Sequence, residues 1–234
     1  MKLGLIPVNI GIDDAAQMIG LAQLAESVGF ESVWTFEHVI VPIDYQSKYP
    51  YNDSGKMGVE PETPFIDPLI ALTAIAAATK TIRLGTGVNI LSEVNPLLLA
   101  KQTASLDVVS NGRFMLGVGI GWLEVAAMRK VWSGEVVEHQ SDFLDWTGFK
   151  SYPLPRQNPM PIVMGGSKGR IYERIARHGN GWFVPGSDPA ALGGQIAEMR
   201  AACEKLGRDP DEIEITCMWP GRSRARTSRC RGGR

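Results

Sequence analysis

Short apolar runs alternate along this chain with longer segments whose apolar positions recur every three to four residues, the pattern of strands alternating with amphipathic helices. Lys2–Val8 predicts a first strand. Asp13–Val28 predicts a helix with Ala16, Ile19, Leu21, Leu24 and Val28 on its apolar positions, stopped by Gly29. Ser32–Phe36 predicts a second strand, and a polar loop with prolines and glycines runs from about Val41 to Pro64. Asp67 caps an alanine-rich helix, Pro68–Thr79, whose proline stands where a missing N–H costs nothing. Thr81–Ile90 predicts a third strand, Asn95-Pro96 opens a helix to about Val109, and Arg113–Ile120 predicts a fourth strand. A short helix, about Glu124–Trp132, leads to a hairpin of Val136–His139 and Phe143–Thr147 around Ser141-Asp142. After the proline-rich connector Pro153–Pro161 come a fifth strand (Pro161–Met164), a helix (Lys168–His178), a sixth strand (Gly181–Val184), a helix (Pro189–Leu206) and a seventh strand (Glu212–Met218).

Strands separated by helices pair in parallel, and seven such units point to a (β/α)-barrel rather than an open sheet. The 234 residues suit one barrel domain, since such barrels often run to about 200–250 residues. We therefore expect a barrel over residues 1–220 with an eighth unit missing, and an arginine-rich, disordered tail over 221–234. The first and seventh strands are then expected to be open edges, which would make the chain marginally stable or pair it with a second copy as a homodimer.

Composition narrows the class. The chain is 44% hydrophobic and 21% charged, as in soluble globular proteins, and no apolar run approaches the roughly 18 residues of a membrane span. The N-terminus has no long apolar signal region, so a cytoplasmic protein with no membrane partner is expected. Cys203, Cys217 and Cys230 are odd in number and lack metal-ligand spacing, which fits a reducing compartment and no metal site. The net charge of −1 hides an asymmetry: the six arginines of 221–234 leave 18 basic against 25 acidic residues in the body, a balance of −7. A mildly acidic body argues against nucleic acid as ligand. The tail has no aromatics and no periodicity, and its composition looks like GC-rich DNA read out of frame; a basic arm for an acidic partner is the alternative.

In a parallel α/β protein the chemistry sits where strands end. Those ends carry Asn9, then Glu37-His38, Thr86-Gly87-Val88-Asn89, Gly119-Ile120-Gly121-Trp122 and Gly165-Gly166-Ser167. Glycine has no Cβ, so a strand ending in alternating glycines lets a flat ligand approach its backbone; tight strand packing is the alternative. Of three histidines only His38 ends a strand, whereas His139 falls in the hairpin and His178 closes a helix. Gly165-Gly166-Ser167 directly precedes the predicted helix, whose free N–H groups could hold a phosphate with the Ser167 hydroxyl, Lys168 and Arg170; an ordinary turn is the alternative.

Four ordered strings carry a resemblance: Arg83-Leu84-Gly85-Thr86-Gly87-Val88, Leu106-Asp107-Val108-Val109-Ser110-Asn111-Gly112-Arg113, Leu116-Gly117-Val118-Gly119-Ile120-Gly121-Trp122 and Ile162-Val163-Met164-Gly165-Gly166-Ser167. Together they resemble the luciferase-like monooxygenase family, and within it the branch that uses the deazaflavin coenzyme F420. The resemblance implies a TIM-type (β/α)8 barrel with a flavin or deazaflavin at its mouth and a small-molecule substrate; the aromatics Trp34, Phe36, Tyr45 and Trp122 suggest an apolar or ring-containing compound, with plain packing the alternative. It implies hydride transfer with F420; an FMN-dependent monooxygenase and an inactive remnant are the alternatives. The segment matching Gly87-Val88 often forms a non-prolyl cis peptide that backs the ring, and Thr86 lies beside it. Gly165, Gly166 and Ser167 match the phosphate site, Glu37 and His38 lie near the reactive ring as catalytic candidates, and Asn9, Gly119, Gly121 and Trp122 line the same mouth. Two departures stand out: Leu123-Glu124-Val125-Ala126 replaces a longer segment after the fourth strand, and the family pattern ends at Met218-Trp219-Pro220.

Overall fold

A computed structural model describes residues 2–43, 46, 55–119, 121–141, 144–186 and 188–218. In chain order the strands and helices are β1 (Gly4–Leu5), α1 (Ala15–Ser27), β2 (Ser32–Thr35), α2 (Pro68–Ala78), β3 (Arg83–Thr86), α3 (Pro96–Val109), β4 (Phe114–Val118) and α4 (Trp122–Val131). A hairpin of β5 (Val137–Gln140) and β6 (Asp145–Phe149) follows, then β7 (Ile162–Gly165), α5 (Ile171–His178), β8 (Gly181–Pro185), α6 (Pro189–Lys205) and β9 (Glu214–Met218). Seven strands form one parallel sheet in the order β1-β2-β3-β4-β7-β8-β9, and β5 pairs with β6 antiparallel outside it. The sheet is curled, an incomplete (β/α)8 barrel in which, among the described residues, β1 and β9 pair on one side only.

The curl follows from two apolar layers. Alternate strand residues, among them Val33, Leu84, Leu116, Ile162 and Trp182, are buried in the layer shared with the helices. The others, Trp34, Met115, Val163 and Phe183 with Ile6, Val88 and Met218, pack on each other inside the curl. Trp34 of β2 and Phe183 of β8 meet with ring centroids 5.5 Å apart, although three strands separate them in the sheet. Gly85 is small for this reason: a Cβ there would stand 2.3 Å from the Trp34 ring. At the rim where strands begin, Arg83 Nη1 donates to Glu31 (2.7 Å) and to Glu214 at the start of β9 (2.8 Å), tying the two flanks of the sheet together.

Local chemistry sets most helix starts. Asp14, Asp67, Asn95 and Asp188 accept backbone N–H bonds in the first turns of α1, α2, α3 and α6, satisfying donors that have no partner within the helix. The Glu26 carboxylate accepts from the N–H groups of Lys80, Thr81 and Ile82 and so holds the lead-in to β3. Burial pushes this carboxyl up, but those bonds more than offset it and bring its pKa to about 2.

Several boundaries differ from the sequence reading. The first strand shortens to Gly4–Leu5, with a cis Ile6–Pro7 bond just beyond it. The third ends at Thr86, where the chain leaves the ladder, and a single 3-10 turn at Leu91–Glu93 precedes α3. The second hairpin arm starts at Asp145, not Phe143, which lies outside the described residues. The helix expected from Lys168 starts at Ile171, because Gly169 adopts φ +69 and breaks it. Among the described residues no helix is long and apolar enough to cross a membrane. Tyr45 and the arginine-rich stretch 221–234 lie outside the described residues.

Candidate active site

Past Thr86 the chain bulges into the barrel mouth. The Gly87–Val88 peptide is cis, as the resemblance implies. Backbone bonds moor the bulge on both flanks: Gly87 N–H donates to Thr35 O (2.8 Å), Asn89 N–H to Gly117 O (2.8 Å), and Gly119 N–H to Asn89 O (2.9 Å). The Val88 side chain fills the space that glycines leave. A Cβ on Gly119 would stand 2.9 Å from Val88 Cγ2 and one on Gly165 3.1 Å from Val88 Cγ1. A Cβ on Gly117 would stand 1.7 Å from Thr86 O, which no movement of a side chain could relieve. The room beside the glycines at the ends of β4 and β7 is therefore occupied by the chain itself, through the Val88 side chain. Thr86 is turned to its neighbour, its Oγ1 donating to Gly117 O (3.0 Å) and accepting from Gly117 N–H (2.8 Å). Gly121 (φ +107) caps α4, where a Cβ would stand 2.4 Å from that of Leu91; for Trp122, the first residue of α4, only the backbone is described.

The ends of β1 and β2 satisfy themselves. Asn9 is fully buried; its Nδ2 donates to Phe36 O (2.8 Å) and Ile66 O (2.7 Å), and its Oδ1 accepts from Phe36 N–H (3.0 Å). Glu37 Oε1 accepts from Asn89 Nδ2 (2.7 Å) and Oε2 from Ile90 N–H (2.5 Å). Burial pushes the Glu37 carboxyl up, against the pull of these two bonds, and the charges of Glu93 and Asp67 add to the rise. His38 is half-buried and meets Phe65 edge-on, with centroids 5.3 Å apart. Burial lowers its pKa although Glu93 opposes this, which favours the neutral imidazole. Phe65 is absent from the sequence reading of this cluster, and Asn89 is named there at the end of the third strand but given no role. Asn89 had a usable signal, an amide inside the apolar run Gly87–Leu91; Phe65, at the end of an irregular loop, had none.

The end of β7 is different. Gly166 adopts φ +123, accepts from Trp182 Nε1 (2.6 Å) through its carbonyl and donates its N–H to Phe183 O (3.3 Å). The Ser167 carbonyl accepts from the Tyr172 hydroxyl (3.1 Å). Lys168 and Arg170 are exposed, and no side chain caps α5. Among the described residues α4 and α5 are the α-helices that start without a side-chain cap, and they follow β4 and β7. Among the described residues no group of histidines, cysteines and carboxylates could hold a metal ion.

The model of the luciferase-like monooxygenase family matches residues 7–127 and 124–221. An uncharacterized protein of Mycobacterium tuberculosis is 31% identical over 221 residues, covering 86% of this chain and 76% of that protein. The F420-dependent hydroxymycolic acid dehydrogenase of the same species is 26% identical over 222 residues, covering 84% of this chain and 56% of the dehydrogenase. The crystal structure of monooxygenase RslO1 from Streptomyces bottropensis aligns with a TM-score of 0.72 at 26% identity, covering 93% of this chain and 70% of that one. This chain belongs to the luciferase-like monooxygenase family of oxidoreductases.

Proposed function

We propose that this chain is an oxidoreductase that binds coenzyme F420 at the barrel mouth and moves a hydride to or from a small, mainly apolar organic substrate. The observation that carries the reading is the Val88 shelf on Gly119 and Gly165, beside a helix start whose N–H groups no side chain caps. This donor set fits a phosphate-bearing flavin or deazaflavin: an apolar shelf for the ring, and amides, a hydroxyl and two cations for the phosphate. Ser167, Lys168, Arg170 and the first turn of α5 would hold the phosphate, and Val88 would back the ring. When bound, the coenzyme supplies the hydride donor or acceptor. His38, held neutral by burial, is suited to accept a proton at a ring nitrogen and return it. Val39, Ile40 and Ile43, just past His38, are 70%, 73% and 89% exposed, and they supply an apolar rim for the substrate.

The second reading is an FMN-dependent monooxygenase, favoured by the likeness to RslO1. Titrating the full chain with F420 and with FMN, followed by oxygen uptake under turnover, separates the two. The first reading expects F420 to bind at least about tenfold more tightly than FMN, with no oxygen uptake. Preference for FMN with oxygen uptake supports the monooxygenase, and binding of neither points to a family remnant without coenzyme chemistry.

A further inference from the structure

Glu37 stands at the end of β2 beside His38, where a carboxylate invites an acid or base role, yet both of its oxygens are directed at the segment after β3. Oε1 accepts from the Asn89 side chain and Oε2 from the Ile90 backbone N–H, the two residues that follow the Gly87–Val88 bulge. We infer that Glu37 is a positioning residue which, with Asn89, clamps that bulge from β2 and so fixes where Val88 stands. The inference rests on the proposed reading of the bulge as the support of the coenzyme ring.

Three observations carry it. The regular β2–β3 pairing ends at Thr35 and Thr86, and after the one further backbone bond from Gly87 N–H to Thr35 O the carboxylate links the end of β2 to Asn89 and Ile90, past the bulge. Both bonds are short and charge-assisted, the stronger class of protein hydrogen bond. Asn89 is 2% exposed and its Oδ1 has no hydrogen-bond partner among the described residues. Turning that amide over would aim Oδ1 at the Glu37 carboxylate, so Glu37 fixes its orientation. Removing the carboxylate would leave the buried Asn89 Nδ2 and the partly buried Ile90 N–H without these acceptors, at a cost in stability.

The geometry also separates a clamp from an acid or base. In Glu37→Gln, Oε1 can still accept from Ile90 N–H, while Nε2 can donate to Asn89 Oδ1 once the Asn89 amide turns over. The glutamine keeps two bonds and loses proton-transfer capacity. The test measures amide hydrogen exchange at residues 87–91 in the coenzyme-free protein, F420 affinity, and turnover. Glu37→Ala and Asn89→Ala are expected to speed exchange at Ile90 and weaken F420 binding by about tenfold or more each. Glu37→Gln is expected to retain wild-type exchange and affinity, with turnover within about threefold. Should the alanine variants fail to fold, the exchanged pair Glu37→Gln with Asn89→Asp, which conserves charge and donor count, is expected to fold with wild-type protection at Ile90. Unchanged exchange in Glu37→Ala, or lost protection in the exchanged pair, overturns the clamp. Lost turnover in Glu37→Gln with intact exchange and affinity returns Glu37 to acid–base chemistry. If exchange responds as expected but the wild type binds neither F420 nor FMN, the clamp stands and the coenzyme reading falls.

Discussion

The two arcs of the barrel mouth use their polar groups in opposite ways. Along β1, β2 and β3, Asn9, Glu37 and Asn89 bond to backbone and to each other, and the helices that follow start on Asp14, Asp67 and Asn95. Along β4 and β7 the strand ends are glycines, and α4 and α5 start on Gly121 and Arg170 with no side-chain cap. A capped helix start has already given some of its donors to its own chain, whereas an uncapped one still has them for a ligand. The first arc builds and fixes the Val88 shelf; the second offers amides and cations beside it. In the proposed reading, a rigid ring support and a free anion cradle are thus divided between the two arcs.

The sharpest way to break the comparison is at the seam between the arcs. Gly117→Ala puts a Cβ against the Thr86 carbonyl, and backbone has no rotamer to escape through. We expect a loss of about 3 kcal/mol or more, read as a collapse of the melting transition. Next in size is the footing of β3. The Glu26 carboxyl is shifted from 4.5 down to about 2, so its contribution is present above about pH 4.5 and is lost as pH falls through about 2. Glu26 is largely solvated, so after allowance for screening Glu26→Gln should cost about 1–2 kcal/mol at pH 7. Denaturant melts should show that deficit shrinking towards zero by pH 2; a deficit independent of pH would sever the link to the carboxylate's charge.

The helix starts allow a matched pair of smaller changes. Asp67→Ala removes the cap of α2 and should cost about 1 kcal/mol, with coenzyme affinity unchanged. Arg170→Glu places an anion at the open start of α5, where the helix dipole favours it, and should stabilise by about 0.3–1 kcal/mol. The same change should repel a phosphate. One variant loses stability and keeps binding, and the other does the reverse.

The arcs were not equally legible in the sequence. Capping residues and strand alternation act within a few positions, so α1, α2, α3, α6 and the seven-strand beat could be read locally. The start of α5 was misplaced by three residues because Ser167 and Lys168 look like a helix opening, while the backbone turn at Gly169 leaves no local trace in hydrophobicity. The site itself depends on distant pairs. Glu37 meets Asn89 across 52 positions, and Val88 fills room at Gly119 and Gly165, so the glycines could be noticed but their occupant could not. For the same reason the strand-end positions of Glu37 and Asn9 can be read from the sequence, while the distant chain partners their side chains bond cannot. Arg83 shows the limit most plainly, reaching Glu214 across 131 positions to join the flanks of the sheet.

In the proposed reading the uncapped arc, and not the capped one, holds the phosphate of the coenzyme. The most direct test is a fluorescence titration of F420 into the wild type, Asp67→Ala and Arg170→Glu, under conditions where all three are folded. The account expects Asp67→Ala to match the wild type within about twofold and Arg170→Glu to bind about tenfold more weakly or worse, near 1.4 kcal/mol. Equal affinity in Arg170→Glu and the wild type, or a loss confined to Asp67→Ala, would contradict it.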